Sequence, residues 1–351
     1  MNSTSSAPRL AELLLAGPRG RRFLLQYALD SELAQYPVRN ATSFGQATAK
    51  AALRLDPNGS GGRALRRRSL FGWIDSMPEV PDVSASEVAE RLGSVELLKP
   101  TPEVLRPTLM AAVDTARYWQ EPDGEDHLAA TPEMQPALQR EARHVAASPF
   151  TAWWCAPVDR SAQHCVLWDA APPRELPNDI HATLRAASDR ERANERLAHK
   201  ERDPDPTANW SGDWWSTPTK AMPSSTRVLS DGSPAGLWFV EDSLGWEHAE
   251  STKILVSDNV SVLEIKDAAD WAELCARFPL EVTAQKRHDW YRTTKHTGRW
   301  VVPDWAQVAE HYDGVHLQVG AYLSAAGTAI PVDNNTATAS VMAGWKPDET
   351  Y

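Results

Sequence analysis

The chain has 351 residues, a formal net charge of −11, 42% hydrophobic and 24% charged residues, and three cysteines. That length allows one large domain or two, and no apolar run approaches the ~20 residues a membrane-spanning helix needs. Cys155, Cys165 and Cys275 do not suggest a disulfide scaffold, the polar N-terminus lacks the basic and apolar regions of a secretory signal, and a cytoplasmic protein is expected.

The charge is uneven. Residues 1–70 hold ten arginines and one lysine against four acids, a net of +7, so the remainder carries −18. Arg66-Arg67-Arg68 is the densest basic run. No glycine-aromatic interleaving accompanies these arginines, and the overall acidic balance argues against a nucleic-acid partner. The expectation is that the basic segment packs on the acidic rest of the same chain.

The first 147 residues read as mainly helical. Leucines and aromatics recur at three- and four-residue spacings over 9–16 and 21–35. Residues 56–62 form a loop rich in glycine. Ser84 and Glu87 make a capping box. Thr101-Pro102-Glu103 and Thr131-Pro132-Glu133 repeat a start signal: a hydroxyl cap, proline in the first turn, and an acid against the helix dipole. They predict helices over 102–120 and 132–147, the second ended by Ser148-Pro149. Residues 148–210 form a connecting segment. Its charged stretch, 188–206, reads as a solvated helix running into a stiff loop.

Residues 211–351 read as a mixed α/β unit, giving an α+β protein overall. Short branched runs at 228–229, 237–240, 254–256 and 262–265 predict strands. Asp267 opens a helix through 276 that buries Trp271, Leu274 and Cys275, and Pro303 or Asp304 opens another. Val315, Leu317 and Val319 alternate as in a half-buried strand.

Thirteen of the fifteen tryptophans follow Ser148. Two pairs share Trp-Trp-x-x-Pro, at Trp153-Trp154 and Trp214-Trp215. A second pattern occurs twice: Gly245-Trp246 and Gly344-Trp345, each followed after three variable residues by a glutamate (Glu250, Glu349) and a hydroxyl residue. Both tryptophans are expected beside one sheet region, with both glutamates partnered, because a carboxylate beside bulky aromatics is partly desolvated.

No phosphate-binding loop, dinucleotide fingerprint, zinc-protease or hydrolase motif is present in the sequence. Cys155, His164 and Cys165 do not make a zinc set, since neighbours on a strand face opposite ways, and no metal is expected. Cys275, mid-helix, reads as an inert core thiol.

Arg227 on one expected strand, Glu250-Ser251-Thr252 opening another, and Tyr312-Asp313-Gly314 leading into a third follow one another in the chain. Over about 210–351 this order resembles the ADP-ribosyltransferases. The resemblance implies NAD as substrate, Arg227 on the dinucleotide, and Ser251 and Thr252 shaping the nicotinamide pocket. Trp246 and Trp238 would be stacking walls. It also implies a glutamate that stabilises the oxocarbenium-like transition state. Gln318 stands where that acid is expected, and Glu250 is the nearest other carboxylate. Two readings therefore leave the sequence. One is NAD-dependent ADP-ribosyl transfer or NAD glycohydrolysis, with Glu250 as the catalytic acid. The other is a non-enzymatic protein whose tryptophan-lined groove holds a small molecule or a partner protein.

Overall fold

The computed structural model describes residues 6–36, 43–57, 82–168, 177–333 and 337–351. The Arg66-Arg67-Arg68 run, Trp73 and residues 58–62 of the expected loop lie outside them.

Helices fill the first part: α1 (Ser6–Ala16), α2 (Pro18–Gln35), α3 (Phe44–Leu55), α4 (Ala85–Leu92), α5 (Pro102–Asp114), α6 (Gly124–Ala129), α7 (Met134–Ala137) and α8 (Gln139–Ala146). The capping box of Ser84 and Glu87 forms at the start of α4. Helix α5 stops short of the expected residue 120, because Arg117 and Tyr118 turn aside into contacts with Asp242 and Glu241. The helix expected over 132–147 is interrupted at Leu138, which turns fully into the core. Ser148 then caps a 3₁₀ segment, Pro149–Cys155.

Every strand among the described residues lies after residue 148. An antiparallel sheet has the order β2 (Thr226–Arg227), β1 (Gln163–Trp168), β3 (Ala249–Ile254). A parallel pair joins β4 (Val262–Ile265) to β7 (Gly314–Leu317). A third sheet runs β5 (Pro279–Glu281), β6 (Arg299–Pro303), β9 (Thr338–Ser340), β8 (Ile330–Pro331). Between them lie α9 (Ile180–Glu201), α10 (Ala268–Arg277), α11 (Thr283–Thr294), α12 (Trp305–Val308) and α13 (Val319–Ala325).

Two expected strands are corrected. Residues 237–240 close a 3₁₀ turn (Ala235–Leu237) and continue as irregular backbone, with Phe239 and Val240 anchored in the core. Val319 opens α13 rather than extending β7. Every residue of α13 is buried, as expected of a helix apolar on all sides. The charged stretch at 188–206 is also more than a solvated face. Glu195 on α9 accepts from the Ala284 and Gln285 amides (2.7 and 3.0 Å), capping α11, whose own N-cap residue offers no side-chain bond.

One core joins the two halves of the chain. Leu14, Phe23, Val113 and Trp154 pack in the same cluster as Tyr322, Met342 and Trp345. Gly17 permits this closure: a Cβ there would lie 2.3 Å from the Ser324 carbonyl oxygen. Basic residues of the first helices meet acids elsewhere in the chain, Arg19 on Asp126, Arg22 on Asp123 at 2.6 Å and Arg9 on Asp267 at 3.0 Å.

The last seven residues are tied in by a buried polar network. Asp348 accepts from the Arg227 backbone amide (2.8 Å) and Nε (2.7 Å). His316 lies 3.3 Å from Asp348 and 2.7 Å from Glu264. Removing one member of a buried ion pair strands the other, at a cost of about 3–5 kcal/mol. Arg227→Met should therefore lower unfolding free energy by about that amount in urea titrations. A loss below about 1 kcal/mol would show that the pair does not hold the C-terminal segment.

Candidate binding pocket

A cavity of about 390 Å³ opens where the two Gly-Trp turns approach each other. Trp119, Trp168, Trp214, Trp215, Trp246 and Trp345 contribute to its walls. Local geometry explains the Gly-Trp repeat. Gly245 and Gly344 both adopt left-handed backbone, with φ of +91° and +82°, which costs a glycine little. Trp246 meets Trp168 edge to face, with ring centres 5.7 Å apart. Trp345 is buried against Trp271 and Trp305. Gly344 also makes room for Trp215, whose Cδ1 would be 2.4 Å from any Cβ at that position.

The neighbouring turn is held from the helical half. Asp242, itself left-handed at φ +46°, accepts from Trp119 Nε1 (2.8 Å) and forms an ion pair with Arg117, whose Nε lies 3.0 Å away. Ser243 donates its amide and hydroxyl to Asp114 (2.8 and 2.6 Å).

Glu241 brings a carboxyl group to this pocket. Its Oε1 contacts the hydroxyls of Tyr118 (2.9 Å) and Tyr322 (2.8 Å), and its Oε2 accepts from the Gly344 amide (2.7 Å). Tyr118 also donates to the Met342 carbonyl at 2.9 Å. A hydroxyl has one hydrogen. If Tyr118 gives it to Met342, the contact with Glu241 needs a proton from the carboxyl. A protonated Glu241 satisfies all four bonds at once; an ionised one takes the Tyr118 hydrogen away from Met342. Burial pushes the Glu241 pKa up to about 8, against the opposing bonds from Tyr322, Tyr118 and Gly344 and the nearby Arg19. Tyr118 and Tyr322 are raised well above the usual phenol value, by burial first and then by Glu241. A carboxyl neutral near pH 7 can hydrogen-bond as a neutral acid, transfer a proton, or ionise when a cation arrives.

The residues singled out from sequence do not share one cleft. Trp246 lines this pocket. Arg227 lines a separate cavity of about 290 Å³, beside Trp153 and Asp159, with its guanidinium 4.7 Å from the Trp153 ring. Glu250, Ser251 and Thr252 are exposed on β3. The physical reason is sheet order. Strand β1 lies between β2 and β3, Arg227 pairs with Gln163, and Ser251 pairs with Val166. Three positions along a strand reverse the side-chain face, so Arg227 and Ser251 point to opposite faces, with backbones roughly 14 Å apart. Ser251 instead meets His164 at 2.9 Å. Trp238, the other expected stacking wall, lies under Arg106 at 4.3 Å.

The glutamates of the Gly-Trp repeat also diverge. Glu349 is buried and bound by Lys346 and Ser224, whereas Glu250 is solvent-exposed, contrary to expectation. Burial pushes the Cys275 thiol up to about 12, as befits a core residue. No cluster of three potential metal ligands occurs among the described residues. Glu241, Tyr118 and Tyr322 carried no sequence signal. They lie over 200 residues apart at the extremes and belong to no motif.

Comparison with protein-family models, curated proteins and solved structures finds no match.

Two outcomes test this geometry. Gly344→Ala meets both a left-handed backbone and the Trp215 ring, whereas Gly245→Ala has open space around it. The first should cost more than the ~1 kcal/mol of backbone strain expected for the second, and should change Trp215 fluorescence; equal costs would contradict the packing. The sign of the pH effect follows from Glu241. Its folded pKa of about 8 lies above the unfolded carboxyl's ordinary value, so its contribution to stability falls as pH rises across that window. Glu241→Gln should thus become steadily more stable relative to the unmodified protein between about pH 5 and pH 9 in thermal melts. A pH-independent difference would refute the raised value.

Proposed function

We propose that the protein binds a small molecule carrying a flat ring, stacked among the pocket tryptophans with Glu241 as its polar anchor. The observation that carries this reading is the convergence of six tryptophans and the carboxyls of Glu241 and Asp242 on a single cavity. Its volume falls within the usual range for small-molecule sites, and its lining of apolar and aromatic side chains with a minority of charged and polar ones is typical of them. Indole walls give large contact area to planar ligands.

NAD is the first ligand to test, since the resemblance over residues 210–351 implies it and its nicotinamide is a flat ring. The engagement of Arg227 with Asp348 favours binding through the ring over capture of the phosphates by that arginine.

Titration of intrinsic tryptophan fluorescence against a panel of heteroaromatic compounds, NAD included, tests the proposal. At least one planar ligand should quench emission saturably, and Trp246→Ala should weaken it about tenfold, the loss of one stacking contact of about 1–1.5 kcal/mol. Ligand affinity unchanged by Trp246→Ala would place binding elsewhere.

A further inference from the structure

The pocket's charge pattern narrows the ligand class, and this step rests on the binding reading above. Each cation at the rim already has an acidic or aromatic partner. Arg117 is held by Asp242, and Lys346 by Glu349. The Lys220 ammonium lies 3.4 Å from the centre of the Trp215 ring. This last contact shows a pocket indole accepting an ammonium group on its face, an arrangement stabilised by the ring quadrupole. An anionic ligand would have to displace an existing partner of these cations. A cation would meet indole faces, the Asp242 carboxylate already held by Arg117 and Trp119, and the Glu241 carboxyl, which carries no charge of its own in the fully satisfied hydrogen-bond arrangement.

We propose that the ligand is an organic cation, such as a quaternary or ring-borne ammonium, and that Glu241 becomes its counter-ion by releasing a proton to solvent as it binds. The exchange balances. A protonated carboxyl and a free cation become a carboxylate–cation pair and one solvated proton. As the proton leaves, the Tyr118 hydroxyl turns from the Met342 carbonyl to the carboxylate, and Tyr322 and the Gly344 amide keep their bonds to it. The charged and titratable groups around Glu241 are Tyr118, Tyr322, Arg19, Arg117, Asp242 and Lys346. Arg19 is paired with Asp126, Arg117 with Asp242, and Lys346 with Glu349, which leaves Glu241 as the group able to exchange its proton for the incoming charge. Burial favours the neutral acid in the empty pocket, and a bound cation reverses that preference. Lys220, on the Trp215 face, competes with the ligand's positive charge.

Isothermal titration with a matched pair, the 1-methylnicotinamide cation and neutral nicotinamide, tests this in two buffers of different protonation enthalpy near pH 7. The cation should bind at least tenfold more tightly and release close to one proton, while nicotinamide releases none. Glu241→Gln should lose both the cation preference and the proton release. Lys220→Met, at the exposed rim, should bind the cation more tightly than the unmodified protein, which keeps the idea testable should the Glu241 variant fail to fold. Equal binding of the two rings, cation binding without proton release, or an unchanged Lys220→Met affinity would overturn the proposal while leaving the flat-ring pocket standing. If neither ring binds while another planar compound does so only as a neutral molecule, the cation assignment falls alone. If no planar compound binds, the pocket reading fails and takes this inference with it.

Discussion

The arrangement depends most on the hydrogen-bond junction around the Glu241 carboxyl. It joins parts of the chain that no local rule brings together: Tyr118 after α5, Tyr322 inside α13, and Gly344 in the turn leading to the C-terminal segment. Each of these positions also shapes the tryptophan pocket or the core beside it. An ionised carboxyl there would be costly, because burial disfavours charge and no arginine or lysine bonds to it directly. A protonated carboxyl is both donor and acceptor, and so can close the circuit through two phenols, a carbonyl and an amide. Satisfied networks of this kind rigidify a core; half-satisfied ones destabilise it.

Asp348 illustrates the opposite solution. It is more fully withdrawn from water, and it receives Arg227 directly and lies beside His316, which is itself shared with Glu264. There the charges are compensated, and the network anchors Thr350 and Tyr351, whose backbones pair with Ser225 and Val315. The His316 pKa is raised: burial lowers it, but bonds to Asp348 and Glu264 outweigh that effect. The two acids thus have different roles. Asp348 is neutralised by partners and is structural. Glu241 is neutralised by its own proton, which makes it the group that can respond to a ligand.

Local features were legible in the sequence. The Ser84 cap, the Asp267 start of α10 with its buried Trp271, Leu274 and Cys275, and the proline-marked end of α8 follow from neighbouring residues alone. The concentration of strands from residue 226 onward followed from the change in periodicity there, whereas β1 fell in a stretch that reads as a connecting segment. Sheet order did not, because β1, drawn from residues 163–168, inserts between β2 and β3. A row of candidates in sequence order therefore became residues on opposite faces, and Arg227 became a structural cation. Val319 was misread for a related reason: a fully buried seven-residue helix shows no polar face to reveal its period. Trp246, Gly344 and Trp345 of the Gly-Trp repeat line one cavity. The repeat's glutamates misled, since only Glu349 found buried partners. Glu241 could not be singled out, because its significance lies in two distant tyrosines.

The protonation state of Glu241 at neutral pH tests the central claim most directly. Infrared difference spectroscopy of the unmodified protein against Glu241→Gln isolates the carbonyl stretch of this carboxyl. A protonated-acid band at pH 7 that disappears only as pH rises through about 8 is the expected result. A carboxyl that has already lost its proton near the ordinary glutamate value, about 4.3, would contradict it.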